Sequence, residues 1–481
     1  MNLLKNYYPP YVILSVLYLF FIAFAFCLDS PSEIFHGLKS IILSSDILIT
    51  DYMEVGGIGA ALVNAALTSL LSLLLLIIIG IKPNGSTIMS LWLMTGFSFL
   101  GKNIFNIWPI ILGVYLFSRY QKEPFLNYIL VALLGTSLSP IVSQISFGNN
   151  QYNLGSIIWG TLLGIAVGFV LPPIASHSIK AHNGYNLYNI GFASGLLATL
   201  LMSIMRGFGI NLDSRLIWHS GSNKILFILL IICCIYLIII GVIYGKNNKT
   251  NLTNINKQTG RLISDFYILF RETTYINMGV LGILATCFVI LIGGDLNGAT
   301  ICGIFTIIGF GCFGKNIKNT IPIVIGATIA AIFNINEVTS PSLLLSILFS
   351  TTLAPISGKF GWKVGIIAGI CGLVIFVLAN FGYGLFAKTK NKASVVGLFS
   401  SIIITIIMIF LSEYICLSFE IFQAYKDLGI TIFDAIRATP EFLSEPEISK
   451  AVAGDLAFAY IFGFIATIGN IVNIVKARKK Q

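Results

Sequence analysis

The sequence predicts an all-α polytopic membrane protein with a two-fold internal repeat of broken or re-entrant helices. Three observations carry this expectation. Of 481 residues, 56% are hydrophobic and 10% charged, with a mean hydropathy of +0.91, which is too apolar for a soluble globule. At about 20 residues per spanning helix there is room for roughly a dozen spans and no sizeable soluble domain. Second, Gly96-Phe97-Ser98-Phe99-Leu100-Gly101-Lys102-Asn103, leading through Asn106 and Pro109 to Gly113, has a counterpart. It is Gly309-Phe310-Gly311-Cys312-Phe313-Gly314-Lys315-Asn316, leading through Asn319 and Pro322 to Gly326, each matched residue 213 positions later. Third, both copies set Gly, Lys, Asn and Pro in apolar surroundings, where hydrocarbon penalises a cation and a broken backbone. Internal repetition is a frequent plan among transporters.

Taken in order, residues 11–27 form a first span, retained rather than cleaved because no small-residue cleavage site follows. With the mixed loop behind it, whose apolar piece 41–49 is too short to cross, this makes an N-terminal segment, 1–50. Repeat one occupies 51–244. Its run 55–81 is a span opened by Gly56, Gly57 and Gly59, and Asn84-Gly85-Ser86-Thr87 reads as a turn. The stretch 86–118 is long for one helix and short for two, and it is interrupted at 101–106 and at Pro109, which suggests two half-helices. Further apolar runs cover 125–147, 154–171 (stopped by Pro172-Pro173), a span opened by 183–189 and running to Met205, and 225–244.

A basic cytoplasmic linker, 245–272, separates the halves, and its Asn-, Lys- and Thr-rich part reads as mobile. Repeat two occupies 273–412. Tyr52, Gly56 and Gly59 match Tyr275, Gly279 and Gly282 at an offset of 223. Asn297-Gly298-Ala299-Thr300 matches Asn84 to Thr87 at 213, and Thr351-Thr352-Leu353-Ala354-Pro355 matches Thr136-Ser137-Leu138-Ser139-Pro140 at 215. An acidic loop, 413–450, and a final span with a basic tail, 451–481, complete the chain. Placing the basic linker and tail on the cytoplasmic side favours inverted halves, with an extra re-entrant piece near Phe381.

The net charge of +10 does not point to nucleic acid, because the basic residues flank apolar runs without an aromatic-interleaved groove. The eight cysteines (27, 233, 234, 287, 302, 312, 371 and 416) lack metal-site spacing, and the four histidines are scattered, so neither metal nor cofactor is expected. No Ser-His-Asp arrangement, HExxH motif or pair of carboxylates within a span is present, so an enzyme is not expected. Gly96 to Asn103 comes close to a phosphate-binding P-loop, but Asn stands where Ser or Thr must hold magnesium, and no soluble domain surrounds it.

Three sets of residues remain as candidates for a substrate pathway. Breaks at Gly101 and Gly314 free backbone groups, while Lys102, Asn103, Asn106, Lys315, Asn316 and Asn319 supply donors and acceptors. Against this, lysine snorkels to interfaces and asparagine caps helices. Thr136, Ser137, Thr351 and Thr352 sit before Pro140 and Pro355, where hydroxyls can satisfy carbonyls freed by a kink or simply accompany it. Asn186 and Asn189 lie in an Asn- and Tyr-rich mouth, 183–189, with an interfacial aromatic belt as the plainer reading. Pro109, Pro140, Pro322 and Pro355 are the expected helix breaks.

The Gly-Lys-Asn-x-x-Asn-x-x-Pro repeats and the stretch Asn183-Gly184-Tyr185-Asn186-Leu187-Tyr188-Asn189-x-Gly-Phe-Ala resemble a bacterial family of integral-membrane proteins catalogued as a domain of unknown function. The resemblance covers nearly the whole chain and implies a multi-pass protein of the prokaryotic plasma (inner) membrane. More distantly, the plan is similar to urea transporters, whose two inverted halves each carry a half-helix. Their Leu-x-x-Pro-x-x-Thr signature is not reproduced: Leu138 and Pro140, like Leu353 and Pro355, stand at another spacing without the Thr, so this similarity is architectural.

The expected function is a transporter or channel for a small polar solute, with the lipid bilayer as surroundings and a homo-oligomer compatible with the plan. The alternative is a non-transporting membrane scaffold or lipid-handling enzyme, motivated by the scarcity of carboxylates within spans and by the acidic segment 413–447.

Overall fold

A computed structural model of the chain describes residues 9–45, 48–148, 153–182, 184–207, 215–261, 265–333 and 337–379. Two units are distinguished: Met1–Leu197 with Asp213–Ala387, and Ala198–Leu212 with Lys388–Gln481. Both copies of the motif lie in the first. The C-terminal part of repeat two from 380 onwards, with the piece near Phe381, and the acidic loop and the last span lie outside the described residues.

The chain is a multi-pass, helical membrane protein. Helix α1 (Pro9–Leu28) is followed by α2 (Pro31–Leu43), a short strand β1 (Leu48–Thr50), α3 (Tyr52–Gly56), α4 (Ile58–Ile79), α5 (Gly85–Phe97) and α6 (Ile107–Tyr120). Then come α7 (Ile129–Gly135), α8 (Pro140–Phe147), α9 (Leu154–His182), α10 (Asn189–Gly207), β2 (Arg215–Ile217), α11 (Asn223–Tyr244), α12 (Asn248–Ile255) and α13 (Phe266–Phe270). The described chain ends with α14 (Thr273–Leu291), α15 (Gly298–Phe310), α16 (Ile317–Ile332), α17 (Pro341–Ser350), α18 (Ala354–Phe360) and α19 (Trp362–Ala379). Among the described residues six helical stretches are long and apolar enough to cross a bilayer, and the bent pair Phe125–Leu138 with Pro140–Phe147, angled by 45°, makes a seventh. Strands β1 and β2 pair in parallel over three residues each, so among the described residues the architecture is helical apart from this clasp.

Several local expectations need correction. Pro172 and Pro173 do not end a helix; α9 runs through both to His182. A Pro removes one intrahelical bond, but neighbouring helices compensate for that loss in membrane bundles. Pro322 likewise lies inside α16 and breaks nothing, its ring lying close to Gly365 of α19. The true breaks fall upstream, so Pro109 occupies the first turn of α6, where an N–H has no helical partner anyway. Pro140 and Pro355 stand in the first turns of α8 and α18, after short 3-10 turns at Thr136–Leu138 and Thr351–Leu353. Asn84 and Asn297 are helix N-caps rather than turn residues, each accepting from a Thr N–H three positions on. The linker read as mobile contains helix α12, with Ile255 fully buried.

Helices α5 and α15 form the centre. The start of α5 meets the residues just after α15, since Gly85 O accepts from Cys312 Sγ at 3.2 Å. The start of α15 lies beside Phe99, just after α5, so the two helices run antiparallel. Midway, Trp92 and Phe305, which are 213 positions apart, meet edge to face at 5.2 Å. Gly96 lies against Cys302 and Phe305, and its counterpart Gly309 against Met89 and Trp92, so each helix offers the other a glycine where an aromatic Cβ arrives. Phe21 of α1 and Phe99 pack on the same Phe305 ring, which extends this contact into the main core.

On the flanks, α6 packs on α9 and α16 packs on α19. Gly113, Gly164 and Gly168 form the first seam, and Gly326, Gly365 and Gly369 the second. A Cβ at Gly168 would strike the Ile110 carbonyl, and one at Gly369 the Ile323 carbonyl. These small-xxx-small pairs let backbones touch, which is how helices associate without a hydrophobic drive in lipid.

Candidate functional site

Each break is built by the same set of hydrogen bonds. After α5 the chain turns at Gly101, with φ +90°, and Lys102 N–H returns to Phe97 O at 3.1 Å. After α15 it turns at Gly314, with φ +100°, and Lys315 N–H returns to Phe310 O at 2.9 Å. Only glycine adopts this backbone region without strain. The carbonyls released at the first break are met by one side chain, Asn64 of α4, which donates to Ser98 O and Lys102 O at 2.8 Å each. Asn277 of α14 does the same for Gly311 O at 2.7 Å and Lys315 O at 2.8 Å.

The four motif asparagines are spent on this scaffold. Asn103 and Asn106 each accept the other's backbone N–H at 3.0 Å, which starts α6. Asn103 also donates to Tyr52 Oη at 3.0 Å, and Asn106 to Gly101 O and Ser143 Oγ at 2.9 Å. Asn316 and Asn319 exchange the same pair of bonds at 2.9 and 3.0 Å, which caps α16. Asn316 then holds Ile255 O and Gln258 O, and Asn319 holds Gly314 O. Helix α12 is thereby clamped beneath the second break, much as Ile41 O of α2 lies beneath the first.

These bonds also correct the alignment at 223. Asn64 and Asn277 stand 213 apart in equivalent roles, and Tyr52 N–H to Phe99 O corresponds to Phe266 N–H to Cys312 O. Tyr52 is therefore the counterpart of Phe266, not of Tyr275, which lies within α14. The Gly and Tyr matches at 223 came from residue types common in membrane helices.

The two lysines differ. Both are buried, Lys102 at 1% exposure and Lys315 at 0%. Lys315 Nζ donates to Tyr188 Oη and, at 2.6 Å, to Thr351 Oγ1, and it lies 4.6 Å from the Tyr188 ring centroid and 5.3 Å from that of Phe310. Lys102 Nζ reaches back along α5 to Met94 Sδ at 3.5 Å and stands 4.9 Å from the Phe97 ring centroid. A hydrogen bond to a charged group contributes about 1.5–3 kcal/mol, and a desolvated cation–π contact about 2 kcal/mol. An unpaired ion in low dielectric costs several kcal/mol. Two hydroxyls and two rings therefore go far towards offsetting the burial of Lys315, whereas a thioether, which accepts only weakly, and one ring leave Lys102 short.

The hydroxyl turns sit beside the lysines. Thr136 Oγ1 donates to Leu133 O and lies 3.3 Å from the same Met94 sulfur, while Ser137 Oγ and Ser139 Oγ are buried without a protein partner. In the second copy Thr352 Oγ1 donates to Asn186 Oδ1 and accepts from Tyr188 N–H at 3.1 Å, and Leu187 N–H donates to Thr352 O at 3.0 Å. Residues 186–188 are thus docked on the second turn. Asn189 is not part of this cluster; it bonds to His182 Nε2 at 2.8 Å and Ala175 O at 3.0 Å, holding α10 to α9. Tyr188, absent from the expected site residues, completes it. Aromatic rings run between the lysines: Phe97 to Phe349 at 5.9 Å, Phe349 to Tyr188 at 6.1 Å and Tyr188 to Phe310 at 4.6 Å.

Among the described residues no group of three or more His, Cys, Asp or Glu side chains comes together as a metal site. Two grooves open elsewhere, both apolar and at equivalent places. One, of about 860 Å³, is lined by Leu75, Trp108, Ile111, Leu112 and Tyr115, the other, of about 380 Å³, by Phe288, Ile321, Val324, Ile325 and Thr328. All five of these lining residues match at an offset of 213.

No curated protein and no solved structure matches the chain, and the similarity to urea transporters is not shown. One family model matches residues 30–207 and 245–387, most of the chain and both copies of the broken-helix motif. The chain belongs to that family, described as Protein of unknown function (DUF1576).

Proposed function

We propose that this protein is a transporter or channel for a small polar solute, with a pathway running between the two breaks. The two copies are inverted repeats in this reading, because equivalent positions of α5 and α15 meet head to tail about Trp92 and Phe305. The observation that carries the proposal is the pair of buried lysine side chains at the breaks. An α-helix of 13 residues spans about 20 Å, less than the hydrocarbon thickness of about 30 Å, so both breaks fit within membrane depth. Cations retained at that depth are characteristic of solute pathways.

The asparagines act as scaffold in this proposal, and the lysines with Thr136, Thr351, Thr352, Asn186 and Tyr188 face the solute. The rings from Phe97 to Phe310 form a chain of contacts between the two lysines. In this reading the basic linker faces the cytoplasm, the family resemblance favours a prokaryotic plasma membrane, and no catalysed reaction is assigned.

The test is flux in reconstituted vesicles across a panel of small polar solutes. Lys102→Ala and Lys315→Ala should each abolish flux of the transported solute while gel-filtration profile and melting temperature stay close to wild type. Unchanged flux in both variants contradicts the proposal.

A further inference from the structure

We infer that the solute is a small monovalent anion and that it binds at Lys102. This rests on the transport reading above and names its substrate class.

The first argument concerns charge. Neither lysine has a carboxylate partner; the single ion pair among the described residues is His219 with Glu54. The two buried aspartates serve elsewhere. Asp51 accepts from the backbone N–H groups of Met53, Gly298 and His219, and Asp265 from those of Gly85 and Ile268. Both side chains are thus buried without a protein counter-ion, and a bound anion is what holds such a lysine in its charged form.

The second argument concerns which lysine is available. An ammonium has three N–H donors. Lys315 has two hydroxyl acceptors, and its flanking Thr352 is engaged by Asn186. Lys102, buried to the same degree, has one thioether. The turn packed against the first break, with Pro140 touching the space beside Gly101, carries the unpartnered buried hydroxyls of Ser137 and Ser139. Ser139 corresponds to Ala354 in the second copy, so this donor has no counterpart there. Unspent donors with no negative group nearby are the chemistry that receives an anion. One ammonium, with Met94 and the Phe97 face around it, fits a single negative charge and a weakly hydrated ion.

The experiment uses the full-length protein and four probe salts, potassium chloride, nitrate, formate and acetate, with potassium gluconate as an ionic-strength reference and urea and glycerol as neutral probes. Melting temperature in detergent reads binding, and flux into vesicles reads transport. The expected result is a saturable rise in melting temperature with at least one small anion, and vesicle flux of that anion but not of urea or glycerol. Lys102→Met should weaken the anion effect about tenfold or more, and Lys102→Arg should retain it. Should Lys102→Met fail to fold, the wild-type solute panel alone decides. Flux of urea or glycerol without any anion effect overturns this inference and leaves the transport reading standing. Anion binding without flux of any solute overturns the transport reading and keeps the site. Neither binding nor flux overturns both.

Discussion

The carboxylate of Asp51 accepts the backbone N–H of Gly298 at 2.8 Å, so the first copy caps a helix of the second. The exchange is reciprocal, because Asp265 accepts the N–H of Gly85 through both oxygens, at 3.0 and 2.8 Å, and so caps α5. Each carboxylate meets the positive end of a helix dipole and satisfies N–H groups that have no helical partner. The copies are latched at both ends of their central helix pair. Asp51→Ala and Asp265→Ala should each destabilise the protein by about 2 kcal/mol, and Asn at either position, which keeps one acceptor oxygen, by less. Thermal melts in detergent check the order.

Asn64 and Asn277 each satisfy two carbonyls at a break that hydrocarbon cannot solvate. Asn64→Ala or Asn277→Ala leaves both carbonyls buried and unpaired, at a loss of about 2–3 kcal/mol. Asn64→Leu is no better, since added apolar surface does not replace the donors. Yield of folded protein and melting temperature report this directly, and stability equal to wild type excludes the role assigned to the amide.

The glycine seams give a contrast within the same molecule. A Cβ at Gly326 would fall on the Ile366 carbonyl of α19, whereas one at Gly191 meets only Tyr188 Cβ at an ordinary 3.4 Å. Gly326→Ala should cost about 1–3 kcal/mol by forcing α16 from α19. Gly191→Ala should be close to neutral or slightly stabilising through its higher helix propensity. Equal melting temperatures for the two variants contradict the seam.

Tyr188 closes the second lysine, giving it a hydroxyl and a ring face. Under the proposed function Tyr188→Phe loosens this closure while keeping the ring, and flux should rise several-fold, in line with one charge-assisted bond. Tyr188→Ala also removes the ring between Phe349 and Phe310 and should leak solutes the wild type excludes. Vesicle flux with a range of solute sizes distinguishes the two.

The broken helices were legible because the break needs particular residues. Gly101 and Gly314 supply the positive φ, and the asparagines supply the caps, at one spacing in both copies. The scaffold around them was not legible. Asn64 and Asn277 are single polar residues in long apolar runs, where hydropathy averages them away. Asp51 and Asp265 act across the copies, so no local pattern announces them. Helices α2 and α12 share a role, but one lies in a mixed loop and the other in a polar linker, and composition hid both. Pro322 shows the opposite error: a residue that breaks isolated helices sits inside one because α19 packs closely against it.

The central claim is that the two breaks open onto one pathway from opposite sides. It is tested most directly by cysteine accessibility in a chain whose eight native cysteines are replaced, with Lys102→Cys or Lys315→Cys added singly. In sealed vesicles of known orientation, a membrane-impermeant thiol reagent should label position 102 from one side and position 315 from the other. Both labels should be slowed by the transported solute. Labelling of both positions from the same side, or of neither from either side, contradicts the account.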